Sequence, residues 1–196
     1  MKKNIILASA SARRISLLKE WGLEIESVPS GVDESTKLRK PSYIVKELSY
    51  RKCKDIASKR AASIIIAADT IVVLNGRIIG KPKDRHECES VLRELNGSVH
   101  KVYTGVAVID NTNGKQSVFY DCAGVKMRKL PERELSLLFG KHMDKAGAYA
   151  VQDKDDSFVE KVYGDYYTVV GLPYIKLAGE LLKFGIRITL PPKAVF

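Results

Sequence analysis

The stretch SIIIAADT, residues 63–70, places an acidic residue directly after an uninterrupted apolar run. The run is rich in isoleucine and bounded by polar residues, which predicts a central strand that is buried on both faces and ends at Asp69. Ligands of open α/β sheets gather at the carboxyl ends of strands. An aspartate there can bind Mg²⁺ or accept a proton from an attacking water, although capping a turn is its structural alternative.

Strand and helix patterns alternate on both sides of this stretch. Asn75-Gly76 between two apolar runs predicts a tight hairpin directly after it. Stripes at three- and four-residue spacing predict a helix that stops at Gly22, one that begins at Pro41 and one that follows Asp84. We therefore expect one mixed α/β domain, residues 1–196. The other predicted strands span residues 3–8, 23–28, 99–109, 115–127, 158–162 and 166–170, and the last helix spans residues 173–184.

The chain is basic, and its charge is unevenly spread. It has 196 residues, with 33 Lys+Arg against 23 Asp+Glu and a net charge of +10 when histidine is neutral. Residues 1–60 hold 14 basic and 7 acidic side chains, so most of the excess lies in the N-terminal third. This excess predicts an anionic partner, and nucleic acid, an acidic membrane surface and a small polyphosphate all fit it.

The N-terminus and the cysteines favour a cytoplasmic protein. Two lysines precede the apolar residues 5–8, but this run is shorter than the ~7–15 apolar residues of a secretory signal. The longest apolar run, residues 64–68, is far shorter than the ~18 residues of a membrane helix, so no membrane span is expected. Cys53, Cys88 and Cys122 fit neither paired disulfides nor a CxxC metal site, which predicts three reduced thiols.

The segment SASARR, residues 9–14, lies at the predicted turn between the first strand and the first helix. Small residues at such a turn expose backbone N–H groups, and a helix N-terminus favours anions. Ser9, Ser11, Arg13 and Arg14 are therefore candidates to hold phosphate oxygens, while a serine N-cap followed by solvated arginines is the structural alternative. Neither common phosphate loop, GxxxxGK(S/T) or GxGxxG after a strand, is found.

Three further charged residues are candidates only if the fold brings them near Asp69. Lys52 projects from the polar side of its predicted helix, Lys81 follows the hairpin, and Glu34 lies in a loop. Taken individually, each is more readily explained as a charged residue exposed to solvent.

The segment DKAGAYAVQ, residues 144–152, is charged at its start and ends in an amide. The Gln152 side chain offers both a donor and an acceptor, which suits a base edge, although surface glutamine is commoner. His86, His100 and His142 lack a metal-binding spacing, and no GxSxG nucleophile motif is found, so histidine and triad chemistry are not expected.

Short motifs in register extend along nearly the whole chain. They are LASASARR at 7–14, Asp33-Glu34, Lys52, ADTIV at 68–72, GKP at 80–82, YTG at 103–105, DKAGAY at 144–149, Gln152, GDY at 164–166 and VVGLP at 169–173. In this order they resemble the Maf family of nucleoside triphosphate pyrophosphatases. Each motif alone is a weak signal, but the full set is highly specific.

The resemblance implies a cytoplasmic, metal-dependent enzyme that releases nucleoside monophosphate and pyrophosphate from a nucleoside triphosphate. The implied fold is similar to that of the inosine-triphosphate pyrophosphatases: an elongated mixed sheet flanked by helices, with a central cleft between two lobes, often in a homodimer. Asp69 matches the family's proton acceptor, and Glu34 with Asp69 would place Mg²⁺ or Mn²⁺. The 9–14 turn, Lys52 and Lys81 would share the triphosphate oxygens.

The resemblance also bears on the base. The set Arg13, Thr70 and Gln152 is similar to the branch that acts on dTTP and UTP, and these side chains would meet the carbonyl and N–H groups of uracil or thymine. Two departures lie beside this set, because Ala12 stands where the family usually has proline and Asp153 where it usually has glycine.

The predicted reaction is attack of water, activated by Asp69, on the α-phosphate of dTTP or UTP. One alternative is the same reaction on 7-methyl-GTP or another modified nucleotide. A second is a non-catalytic nucleic-acid-binding or cell-division regulator, because a net charge of +10 suits DNA or RNA. Nucleic acid is the less favoured partner, since the basic clusters are not interleaved with aromatic residues and no helix-turn-helix pattern is found.

Overall fold

The structure, a computed structural model, describes residues 4–152 and 158–189. These residues form seven strands and six α-helices. The strands are β1 (Asn4–Leu7), β2 (Ile25–Ser27), β3 (Ser63–Leu74), β4 (Arg77–Ile79), β5 (Val99–Asp110), β6 (Lys115–Met127) and β7 (Val159–Tyr163). The helices are α1 (Ala12–Glu20), α2 (Pro41–Ala57), α3 (Arg85–Leu95), α4 (Glu132–Leu135), α5 (Tyr166–Val170) and α6 (Tyr174–Leu182). The strands make one mixed sheet in the order β2-β1-β3-β5-β6-β7, with β4 also paired to β3, which confirms the predicted fold class.

β3 is the central strand, as the isoleucine-rich stretch predicts, but the prediction that it ends at Asp69 is wrong. The strand continues to Leu74 and pairs antiparallel with β5 from Ile64 to Val73. It continues because residues 70–73 all keep a partner on β5 and residues 71–74 are apolar. Asp69 therefore lies inside a strand, opposite Gly105 of β5.

The other edge of β3 is shared by two strands with a gap between them. The last pair with β1 joins Leu7 to Ile66, whereas pairing with β4 begins at Val72, opposite Ile79. Within residues 4–152 and 158–189, no strand pairs with this edge between Ile66 and Val72. The gap lies alongside Asp69 and is the position of the predicted central cleft.

Three apolar clusters surround the sheet. One joins α1 and α6 to a face of β3 through residues such as Ile66, and a second packs α2 on the opposite face against Ala67. These two clusters form the first lobe. The third cluster surrounds α3 beyond the gap, includes Val72 and Leu74, and forms the second lobe. Side chains alternate between the faces of a strand, which explains how neighbouring residues of β3 supply different clusters.

A glycine allows α2 to lie directly on β5. A Cβ built at Gly105 would lie 2.2 Å from the carbonyl oxygen of Val45 and 2.8 Å from the backbone nitrogen of Lys46. Any larger residue would have to push the helix away, so only glycine fits this approach. The approach lets Lys52, about two turns further along α2 than Val45, reach Asp69.

Helix α5 corrects the strand predicted over residues 166–170. The aromatic and β-branched residues of this segment favour a strand, but its two ends favour a helical turn. Asp165 Oδ1 accepts a hydrogen bond from Tyr167 N–H at 2.9 Å, and Gly171 ends the helix with a φ of +117°. A short helix results because these end contacts satisfy its backbone groups.

Two further predictions of local structure are confirmed. Asp84 caps α3 by accepting a hydrogen bond from Glu87 N–H, and Asn75-Gly76 forms the hairpin between β3 and β4. Among the residues described, all three cysteines are free. In the same part of the chain, we find no helix with the length and apolar character required to span a membrane.

Candidate active site

A cavity of about 650 Å³ opens at the gap in the sheet. The first lobe lines it with the β1–α1 turn and with charged side chains from α2 and the loop after β2. The second lobe contributes apolar residues and the segment 144–151. The polar and charged lining residues are Ser9, Ser11, Arg13, Arg14, Ser30, Glu34, Lys52, Thr70, Lys81, Asp144 and Lys145, and the larger apolar ones are Val72, Val102, Tyr149, Val151 and Val169.

Lys52 joins the two predicted metal ligands. Its Nζ lies 2.6 Å from Asp69 Oδ1 and 2.8 Å from Glu34 Oε1. Asp69 is buried, with 6% of its surface exposed, whereas Glu34 is open to solvent. Burial alone would raise the pKa of Glu34, but the hydrogen bond and charge of Lys52, aided by Lys81 and Arg14, lower it below the ordinary value. The structure thus brings together three residues that the sequence alone could only propose separately.

The two carboxylates fit a divalent cation. Both direct an oxygen at one positive centre, the Lys52 ammonium, so their oxygens converge. Mg²⁺ and Mn²⁺ prefer oxygen ligands, and Mg²⁺ sites commonly combine one or two carboxylates with substrate phosphates and water. No cluster of three or more metal-ligating side chains occurs among residues 4–152 and 158–189. Glu34 and Asp69 would therefore need further ligands from the substrate or from water.

The β1–α1 turn presents the N-terminus of α1 to the cavity. Ser9 Oγ accepts a hydrogen bond from Ser11 N–H at 3.2 Å, which tightens the turn. Among the described contacts, the Ser11 side chain makes no capping bond to α1, and the first turn of the helix holds no acidic residue. Ser11 therefore does not cap the helix through its side chain, as an ordinary serine N-cap would. The uncapped end and the two hydroxyls suit an anion such as a phosphate group.

The two adjacent arginines do different things. Arg14 is partly buried and donates from Nη1 to Ala68 O at 2.8 Å and from Nε to Gly171 O at 3.0 Å. Its first bond satisfies a backbone carbonyl on the open edge of β3. Arg13 also lies in the cavity wall, where burial lowers the pKa of its guanidinium and the carboxylate of Asp144 opposes that shift. Arg13 is therefore the better candidate for the predicted phosphate or base contact. Arg14 connects β3 to the residue that ends α5.

Thr70 belongs to a chain of hydrogen bonds. Its Oγ1 lies 2.9 Å from Arg14 Nη2 and 2.9 Å from Thr104 Oγ1, and Thr104 Oγ1 donates to Thr168 O at 2.7 Å. Thr104 and Thr168 are fully buried. The sequence analysis quoted Thr104 within the YTG motif but gave it no role, because its partners are 34 and 64 positions away.

The remaining predicted residues are placed less closely. Lys81 is exposed, lines the cavity from the loop after β4, and is near enough to Glu34 to influence its charge. Gln152 is exposed, and the lining includes its neighbour Val151 instead. Asp153, the departure beside Gln152, lies outside the described residues.

His100 and Tyr149 form a pair that sequence reasoning missed. His100 Nε2 lies 2.7 Å from the Tyr149 hydroxyl, and both side chains are buried. Burial lowers the pKa of His100 to about 4, so the ring is neutral at pH 7. The pair supports the apolar wall, since Tyr149 lines the cavity and His100 lies behind it. In the sequence, the signal for this pair was limited to Tyr149, which belongs to the AGAY motif.

Comparison with known proteins shows which family the chain is similar to. A family model described as "Maf-like protein" matches residues 4–184. The chain is 45% identical to the dTTP/UTP pyrophosphatase of Elusimicrobium minutum (strain Pei191), over 92% of this chain and 98% of that relative. It is 43% identical to the dTTP/UTP pyrophosphatase of Pelotomaculum thermopropionicum, over 95% of this chain and 99% of the relative.

A solved structure, that of the Staphylococcus aureus Ham1 protein, shares the fold with a TM-score of 0.55 at 15% identity, over 94% of this chain and all of that one. The match to the family model covers both lobes and every predicted site residue. The chain is therefore a member of the Maf family.

Proposed function

We propose that this protein hydrolyses a nucleoside triphosphate to nucleoside monophosphate and pyrophosphate, with dTTP and UTP preferred. The observation that carries the proposal is the contact of Lys52 with both Asp69 and Glu34 beside the open N-terminus of α1. Cations, carboxylates and backbone N–H groups together suit a triphosphate and its metal. The names of the two relatives support the reaction and the bases.

In the proposed reaction, Asp69 accepts a proton from water as the water oxygen attacks the α-phosphorus. The bond from that phosphorus to the bridging oxygen breaks, and pyrophosphate leaves with the bond electrons. Lys52, Lys81 and the N-terminal turn of α1 stabilise the charge on the phosphate oxygens. Asp69 lies inside a rigid strand and is held by Lys52, so its carboxylate is positioned before the substrate binds.

Glu34 and Asp69 would hold Mg²⁺ or Mn²⁺ together with oxygens of the triphosphate. When bound, such an ion neutralises phosphate charge and favours departure of pyrophosphate. The exposed position of Glu34 leaves it free to turn from Lys52 toward a bound ion.

The apolar wall of the second lobe is the proposed site of the base. Val72, Val102 and Val169 offer an apolar surface, and Arg13 and Thr70 are polar residues of the same cavity lining. Gln152, which is exposed beside the lining residue Val151, is proposed as a further base contact. A cytoplasmic homodimer is part of this proposal and is supported by the family resemblance.

The test is a pyrophosphate-release assay on natural and modified triphosphates, including 7-methyl-GTP, with Mg²⁺ and with Mn²⁺. We expect dTTP and UTP to give the fastest release of pyrophosphate. In ¹⁸O-labelled water, the label should enter the nucleoside monophosphate and not the pyrophosphate, because attack is at the α-phosphorus. Replacement of Asp69 by Asn should reduce kcat by at least about 100-fold, whereas Glu160→Gln, at an exposed ion pair on β7, should leave it unchanged.

Four results would contradict the proposal. Label in the pyrophosphate would place the attack elsewhere. Near-normal activity of Asp69→Asn would remove its role as base. Salt-dependent binding of DNA or RNA without release of pyrophosphate from any triphosphate would favour the nucleic-acid-binding regulator, and a lead by 7-methyl-GTP would overturn the base assignment.

A further inference from the structure

The hydrogen-bond chain from Arg14 to Thr168 can run in only one direction. The Arg14 guanidinium has no acceptor atom, so it donates to Thr70 Oγ1. The Thr168 carbonyl has no hydrogen, so Thr104 donates to it. Because a hydroxyl carries one hydrogen, Thr104 cannot also donate to Thr70, and the 2.9 Å contact between them must use the hydrogen of Thr70.

Thr70 therefore has no hydrogen left for a ligand. Its oxygen has two lone pairs, of which Arg14 uses one. The remaining lone pair accepts and cannot donate. Thr70 is only partly buried and lines the cavity, so a hydrogen bond between its hydroxyl and a substrate would use this lone pair.

The position of Thr70 places this acceptor at the apolar wall. Thr70 and Val72 lie on the same face of β3, and Thr104 and Val102 lie on the facing residues of β5. Val72 and Val102 belong to the apolar lining of the second lobe. A flat base that packs on these valines would have its edge near Thr70.

We infer that Thr104 is a positioning residue that keeps Thr70 an acceptor, and that the enzyme thereby selects bases with a hydrogen-bond donor at ring position 3. This inference rests on the proposed function, which it deepens. Uracil and thymine carry N3–H, whereas cytosine presents a lone pair at the same atom. A lone pair facing Thr70 would leave two acceptors opposed, so cytosine is rejected.

The inference makes a specific prediction for Thr104→Val, which keeps the shape of the side chain but removes its hydroxyl. Thr70 would then be free to turn its hydrogen toward the substrate and donate to cytosine N3. The ratio of kcat/KM for UTP to that for CTP should fall by about tenfold. Thr104→Ser, which retains the hydroxyl, should keep the wild-type ratio.

The ratio separates a positioning role from a merely structural one. A structural defect lowers kcat/KM for UTP and CTP by the same factor and leaves their ratio unchanged. If Thr104→Val does not fold, Thr104→Ala removes the same hydroxyl with a smaller side chain and should lower the ratio in the same way. Thermal melting of each variant before the assay establishes that it is folded.

The outcomes also separate this inference from the function on which it rests. A folded Thr104→Val or Thr104→Ala enzyme that retains the wild-type ratio would overturn the inference alone. A wild-type protein that releases no pyrophosphate, or that favours CTP over UTP, would overturn the proposed base preference first. A fall in the ratio for Val and Ala, with Ser unchanged, would support both.

Discussion

The ammonium of Lys52 lies 2.6 Å from Oδ1 of Asp69, although the two residues are 17 positions apart and belong to different elements. Lys52 projects from α2 and Asp69 from the middle of β3. Lys52 also lies 2.8 Å from Glu34, so one cation balances two carboxylates. This arrangement links the stability of the site to its chemistry.

Replacement of Lys52 by Met should damage both stability and activity. The buried Asp69 would lose its partner beside a second carboxylate, so we expect the free energy of unfolding to fall by about 2–4 kcal/mol. Loss of the cation should lower kcat/KM by about 100-fold. Urea unfolding and pyrophosphate release measure the two effects. Lys54→Met, at an exposed position of the same helix, is the control, and equal behaviour of the two variants would refute the coupling.

Arg13 and Arg14 should respond differently to the same substitution. Arg14→Lys cannot satisfy the carbonyls of Ala68 and Gly171 together with Thr70, so we expect the free energy of unfolding to fall by about 2–4 kcal/mol. Arg13→Lys should change it by less than about 1 kcal/mol while raising KM for UTP. Chemical unfolding and steady-state kinetics on both variants test this difference, which indistinguishable results would exclude.

The glycine under α2 should not tolerate even one methyl group. Gly105→Ala would push Cβ into the backbone at Val45, and we expect a loss of about 2 kcal/mol or more in the free energy of unfolding. Activity should also fall, because displacement of α2 moves Lys52 away from Asp69. Gly124→Ala on β6 is the matched control, since its Cβ would make ordinary contact at 3.5 Å with Tyr163. Similar melting temperatures for the two variants would show that α2 adapts without cost.

The buried His100 should make stability depend on pH. Burial lowers its pKa from 6.5 to about 4, so between these values the unfolded chain binds more protons than the folded one. The free energy of unfolding should therefore decrease as pH falls, by about 2 kcal/mol between pH 7.5 and 5.

His100→Gln removes this titration but keeps a polar group for Tyr149, so its unfolding free energy should decrease less over the same pH range. His86→Gln, at an exposed position of α3, serves as the control and should follow the wild type. The decisive measurement is urea unfolding of all three proteins at pH 7.5 and 5. An unchanged pH dependence in His100→Gln would assign the effect to other groups.

Local patterns predicted most of the elements. The isoleucine-rich run identified the central strand, and Asn75-Gly76 identified the hairpin that follows, because both signals depend on neighbours in sequence. One error falls where contacts distant in sequence decide, because the end of β3 depends on its pairing with β5. The other is local, because the end contacts made by Asp165 and Gly171 outweigh the strand preference of residues 166–170.

The candidate site shows the same division. The motifs and their spacing were sufficient to identify the family and to single out Asp69, Glu34 and Lys52. The role of Thr104 could not be predicted, because the sequence does not show which groups a threonine in a strand will bond to. Tyr149 and His100 were overlooked for the same reason.

The sequence alone determined the chemical groups available: a carboxylate after an apolar run, a small-residue turn before a helix, and an excess of positive charge in residues 1–60. Only the tertiary structure decided what each group does. Arg13 and Arg14 are adjacent and chemically identical, yet successive residues of a helix point about 100° apart. Arg14 therefore meets Ala68 and Gly171, 54 and 157 positions away, while Arg13 faces the cavity. A hydrogen bond depends on distance in space, and the folded chain alone sets that distance.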